Sequence, residues 1–311
     1  MKPKKTPSPN PSHEAPPPAA KPRLDRKNLV VRVGTALVFA VFFLSLLYFG
    51  GDTAWGRYAY LALMAGSIFL GVREFTLIGR KMGFNPALIP AVITAELLLL
   101  HFTIDRGNVA DPRLPLWLVL VAGGLVIHFG ALFYDKELEK ALPSQAITWL
   151  AALYMGLGLG FQQKLFQFEG TLPKTGSRLI LALYIIVWFG DTAAYFIGST
   201  FGRHKLAPRV SPKKSWEGAG GNLAGNLGGA LLMKYSGVCP EWSPLYALGL
   251  GLVLGLAGQL GDLVESTWKR SAGVKDSNVG VSIPGHGGIL DRVDSLVFAA
   301  PLMYAYILHV R

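Results

Sequence analysis

Apolar residues in this chain come in blocks of about twenty, the length an α-helix needs to cross roughly 30 Å of hydrocarbon. Nine such blocks can be marked along the 311 residues, at about 30–49, 58–77, 86–103, 115–134, 145–163, 179–199, 218–235, 244–265 and 293–310. A bilayer offers no water to backbone N–H and C=O groups, so each block is restricted to helix. The expected fold class is all-α: a polytopic integral membrane helical bundle of about nine transmembrane helices. Composition agrees. The chain is 51% hydrophobic and 16% charged, with a mean hydropathy of +0.38, where a soluble domain carries about a quarter charged residues. A soluble two-domain enzyme, which length alone would suggest, is left little room.

The net charge of +11 would suit a nucleic-acid partner, but the placement of the cations argues for no nucleic acid. Seven Lys and Arg lie in the first 28 residues, and most others fall in alternate loops between apolar blocks. With the N-terminus inside, 19 Lys and Arg fall in cytoplasmic segments and about 7 outside, the bias that orients membrane proteins. Residues 1–28, rich in Pro, Lys and Ser, read as a disordered basic cytoplasmic tail. The apolar run behind it lacks a small-residue cleavage site and is followed by more spans, unlike a cleaved signal peptide. Residues 29–178 read as N-terminal transmembrane helices, and 179–311 as a C-terminal transmembrane region that carries the chemistry. The single cysteine, Cys239, excludes an internal disulfide and a CxxC metal site.

That chemistry gathers in three places. Asp191 lies within the sixth span, with Tyr195 and Gly198 on its face, and a carboxylate inside a membrane is costly enough to suggest function. The loop after it, FGRHKLAPRVSPKKSWEG, crowds six basic side chains around Ser211, Ser215 and Glu217. Its Ser-Pro-Lys-Lys-Ser run, with Lys213 and Lys214, leads into a helix start and suits a phosphate; a basic loop touching anionic lipid headgroups is the alternative. In the seventh span Gly221, Gly225 and Gly229 recur every four residues, a stripe for close helix packing, while Asn222 and Asn226 need polar partners if buried.

The third place is 266–294, STWKRSAGVKDSNVGVSIPGHGGILDRVD. Asp262, Glu265 and Ser266 share a face at the end of the eighth span, and Asp291 and Asp294 form a second i, i+3 pair at the start of the ninth. Carboxylates converging from two helix ends, with no Cys and few His, suit a hard cation such as Mg²⁺, singly or with a second cation. Lys269, Arg270, Lys275, His286 and Arg292 could hold phosphates; an ion-pair cluster among the same groups is the alternative. Together these suggest nucleotide chemistry on a lipid.

The segments ESTWKRSAGVKDS…PGHGGILDRVDS and DTAAYFIG…FGRHKLAPRVSPKKSWEG resemble the signature blocks of the phosphatidate cytidylyltransferases, also called CDP-diacylglycerol synthases. The likeness covers roughly residues 180–311. Trp268 stands where an aliphatic residue is usual and Ser215 where threonine is usual, and the stretch after Asp276 is two residues longer. The resemblance implies that CTP and phosphatidic acid are converted to CDP-diacylglycerol and pyrophosphate with Mg²⁺, in a multi-pass protein of the cell's inner (plasma) membrane with a cytoplasmic active site. It places Asp262, Asp291 and Asp294 around the metal, and a homodimer is plausible from it. Lys269 joins these as a catalytic candidate; Ser211, Lys213, Lys214, Ser215, Glu217, Arg270, Lys275, His286, Arg292, Asp191 and Asn222 are expected at the substrates. A CTP-dependent lipid-alcohol kinase shares the nucleotide and membrane setting, and a transporter coupled through Asp191 and Glu96 is the reading from another class. The DGxxAR…GxxxDxxxD pattern of CDP-alcohol phosphotransferases is not found.

Overall fold

A computed structural model describes residues 38, 40–50, 53–104, 114–134, 137–275, 277 and 288–310. Its helices follow the apolar blocks: α1 (Ala40–Gly50), α2 (Ala54–Lys81), α3 (Leu88–Ile104), α4 (Leu116–Tyr134), α5 (Leu138–Phe166), α6 (Thr175–Phe201), α7 (Trp216–Tyr235), α8 (Pro244–Ser271) and α9 (Leu290–His309). Among the described residues the architecture is all-α apart from one short ribbon, and four helices, α2, α4, α6 and α8, are long and apolar enough to cross a membrane.

Local signals set the helix ends. Thr53, Ser215 and Ser243 cap α2, α7 and α8 by accepting from backbone N–H groups three residues on. Gly273, with φ +67, follows the C-terminus of α8, where its N–H returns to Arg270 and that of Val274 to Lys269. The long side chains Tyr60, Ile68, Leu98, Met155, Leu159, Ile180, Leu183, Leu250 and Leu254 are fully buried among the helices.

Close helix approach positions the site. A Cβ at Gly225 would lie 2.6 Å from the Phe189 carbonyl oxygen, and one at Gly221 2.8 Å from the Ile197 side chain. The small-residue stripe therefore serves as expected, seating α7 on α6. A Cβ at Gly261 would lie 2.3 Å from the Asp294 carbonyl oxygen, so α8 and α9 meet backbone to backbone beside two of the acidic residues.

The basic loop is more ordered than its sequence suggests. Strands β1 (Lys205–Ala207) and β2 (Ser211–Ser215) form an antiparallel ribbon, with Lys205 opposite Ser215 and Ala207 opposite Ser211. The ribbon bridges the end of α6 and the start of α7, and Trp216 N–H closes its base on the His204 carbonyl at 2.9 Å.

Candidate active site

The ribbon and four helices enclose a cleft of about 660 Å³. Helix α6 lines it with Asp191, Tyr195 and Gly198, α7 with Asn222, α8 with Gln259 and Asp262, and α9 with Asp291, Asp294 and Ser295. The ribbon supplies Lys205, Lys213, Lys214 and Ser215. Four carboxylates and three ammonium groups, from segments spread over a hundred residues, thus face one space. Asp262 stands with Asp291 and Asp294, the juxtaposition on which the sequence reading depends.

Within the cleft, Lys214 pairs with Asp262 at 2.6 Å, and Ser266 Oγ donates to the same carboxylate at 3.2 Å. Asn222 Nδ2 donates to Asp191 at 3.2 Å, and Asn226 Nδ2 donates to the Asn222 side-chain oxygen at 2.8 Å. The two amide N–H₂ groups thus form a file ending on Asp191, while the buried Asn226 side-chain oxygen is left without a partner among the described residues. Asp294 accepts from Ser295 N–H at 2.6 Å. Asp191, Asp262 and Asp294 are close enough to repel one another.

Other candidates are not among the residues that line the cleft. Lys269 is 8% exposed and lies between Glu265 and Asp291, at 2.5 Å from each. It is an internal strut between α8 and α9, its ammonium group set between a carboxyl group of each helix. Arg270 donates to the carbonyls of Val210 and Val274 and so holds the ribbon's turn. Glu217 clasps the ribbon's base, accepting from Arg203 N–H, His204 N–H and the His204 ring. Its own backbone N–H and the His204 ring, with the two loop N–H groups, hold its carboxyl down at about 2, so it stays charged at neutral pH. Ser211 opens β2, and Lys275 and Arg292 are exposed beside the site; none of the three lines the cleft. Ser215 both lines the cleft and caps α7. Asp276, His286 and the longer stretch after Asp276 lie outside the described residues, as does the tail 1–28.

Several groups at or near the cleft carry no signal in the sequence. Lys205 and Gln259 line the cleft, and Lys205 was one basic residue among six with nothing local to single it out. Glu74 on α2 and Ser277 meet beneath the first turn of α9, with no sequence signal linking them. Trp268, the departure from the usual aliphatic residue, packs edge-on against both Phe75 and Tyr154 at 4.9 Å.

The donor chemistry can be set against a hard cation. The cleft offers carboxylate and amide oxygens, and neither Cys nor His among its described lining. Among the described residues no group of three His, Cys, Asp or Glu side chains is arranged to hold a metal ion. A Mg²⁺ ion here would take one or two carboxylates and complete its shell with waters and substrate phosphates; a cation caged wholly by protein does not fit.

A cleft lined by acidic and basic groups at the ends of apolar helices is suited to a polyphosphate and a cation. A model of the cytidylyltransferase family matches residues 30–310, and the chain belongs to that family. The phosphatidate cytidylyltransferase of Synechocystis sp. is 36% identical over 300 residues, covering 88% of this chain and 93% of its own. That of Staphylococcus aureus is 33% identical over 273 residues, covering 88% and 96%, and that of Staphylococcus haemolyticus is 32% identical over 274, with the same coverage. The likeness therefore extends well beyond residues 180–311, through the N-terminal helices.

Proposed function

We infer that this chain transfers CMP from CTP to phosphatidic acid, giving CDP-diacylglycerol and pyrophosphate for phospholipid synthesis. The observation that carries the site is the meeting of Asp191, Asp262, Asp291 and Asp294 with Lys205, Lys213 and Lys214 in one cleft. A phosphatidate oxygen forms the new bond to the α-phosphorus of CTP, and the α–β phosphoanhydride bond breaks to release pyrophosphate. The nucleophile is already an anion, so little general-base help is required. The protein's task is to bring two polyanions together and to offset charge on the leaving group.

The ribbon lysines are placed to take the triphosphate and the lipid phosphate. Lys214 is at present engaged by Asp262 and can exchange that partner for a phosphate oxygen. Asp262 and Asp294, with Asp291 behind them on Lys269, would hold Mg²⁺, and Asp191 with Asn222 offers oxygens to a second cation. Bound there, a divalent cation would neutralise phosphate charge. The same reading places all nine helices across the bilayer, with the ribbon and the α8–α9 ends at the cytoplasmic face, where CTP is found.

Labelled CTP separates this reaction from the lipid-alcohol kinase. With purified protein, phosphatidic acid and Mg²⁺, label in the α-phosphate should enter the lipid and label in the γ-phosphate should leave as pyrophosphate. A lipid labelled from the γ position would reject the transfer of CMP. In sealed vesicles, product should form only when CTP reaches the cytoplasmic face; turnover from the opposite face would reverse the orientation.

A further inference from the structure

Glu74 belongs to α2, which contributes no residue to the described lining of the cleft. It is 4% exposed, and a buried carboxylate is costly unless donors surround it. Here they do. Its two oxygens accept from the N–H groups of Ile289 and Leu290, each at 2.9 Å, and the Ser277 hydroxyl stands 3.2 Å away. Helix α9 has no side-chain cap of its own, because its cap position is Ile289. Glu74 supplies the missing acceptor from 215 residues away in sequence. Its charge also meets the positive end of the α9 dipole.

The contact continues into the cleft. Ser277 donates its N–H to Asp291 at 3.0 Å, and its hydroxyl lies 2.9 Å from the same oxygen. Its single hydroxyl proton serves either Glu74 or Asp291 at a given moment, while the N–H stays on Asp291. Asp291 is held on its other oxygen by Lys269, and Lys269 by Glu265. An unbroken file of polar contacts runs from α2 through the first turn of α9 to α8.

We propose that Glu74 is the positioning residue for the start of α9, fixing the direction in which Asp291 and, one turn on, Asp294 enter the cleft. The proposal rests on the reading that these carboxylates serve CMP transfer. A carboxylate that merely docked two helices would affect folding and leave the turnover of the folded protein alone. One that aims catalytic groups would affect kcat, because the reacting centre is sensitive to small misplacements.

The test is Glu74→Gln, which keeps the shape, removes the charge and turns an amide N–H₂ towards the donors. The variant, Asp291→Asn and the double variant are purified in detergent, and kcat, KM for each substrate and the unfolding midpoint are measured. Glu74→Gln should lower kcat about 10–100-fold with KM for CTP within about twofold. The double variant should be no slower than Asp291→Asn alone, because both changes act through one carboxylate. A folded Glu74→Gln with wild-type kcat, or losses that multiply in the double variant, would overturn the proposal. If Glu74→Gln does not fold, Ser277→Ala removes a single hydroxyl from the same file and carries the test: lowered kcat supports the role, and wild-type kcat overturns it. Asp291→Asn with wild-type turnover would contradict the proposed function itself, whereas a slow Asp291→Asn beside a normal Glu74→Gln contradicts only the role of Glu74.

Discussion

Lys214 shows what a sequence conveys about a residue and what it withholds. Its place in a basic run before a helix start marks it as a phosphate ligand, and the structure sets it in the cleft on Asp262. Replacing it with alanine should raise KM for CTP about 10–100-fold, the loss of one charge-assisted hydrogen bond of about 1.5–3 kcal/mol. An unchanged KM in steady-state kinetics would remove Lys214 from the triphosphate. Asp191, Asp262, Asp291 and Asp294 were legible for a related reason: carboxylates at or within apolar spans are too costly to be incidental. The partners of Lys269 and Arg270 were not legible, because helical spacing gives the face a side chain occupies and not what stands opposite. Across from Lys269 stands Asp291, and across from Arg270 the Val210 carbonyl. Glu74 was invisible as part of the site, since its partners at 277, 289 and 290 have no local sequence relation to it.

At the scale of elements, helices were readable because the bilayer permits little else, and the glycine stripe on α7 announced a close neighbour. The stripe also gives a controlled pair of substitutions. Gly225→Ala would bring a Cβ within 2.6 Å of the Phe189 carbonyl oxygen, whereas at Gly228 nothing lies within 4 Å. Gly225→Ala should lower the unfolding midpoint and, by separating Asn222 from Asp191, turnover as well. Gly228→Ala should leave both near wild type, or raise the midpoint slightly through helix propensity. Equal effects from the two, measured by thermal unfolding in detergent, would dismiss the packing role. The β1–β2 ribbon reads as a loop in the sequence for sound physical reasons. Its strands are three and five residues long, and Pro208 and Pro212 lack the N–H that a ladder uses. What orders it is tertiary: the Glu217 clasp at its base and Arg270 at its turn.

At the scale of the whole molecule, residues 180–311 carry the recognisable motifs, yet the family match begins at residue 30. The structure gives a reason for the N-terminal helices to belong to the same unit. Glu74 of α2 holds the start of α9, Tyr154 of α5 and Phe75 of α2 pack on Trp268 of α8, and Val297 of α9 fills the space over Gly158 of α5. The N-terminal half is thus the wall against which α8 and α9 are set, and the acidic ends of those two helices depend on it for their relative position. If carboxylates from separate helices act together in one cleft, neither Asp262 nor Asp294 can lose its charge without loss of turnover. Asp262→Asn and Asp294→Asn, each purified in detergent and shown to unfold within a few degrees of wild type, should form CDP-diacylglycerol about 100-fold or more slowly. Wild-type turnover in either folded variant would rule out a shared carboxylate site.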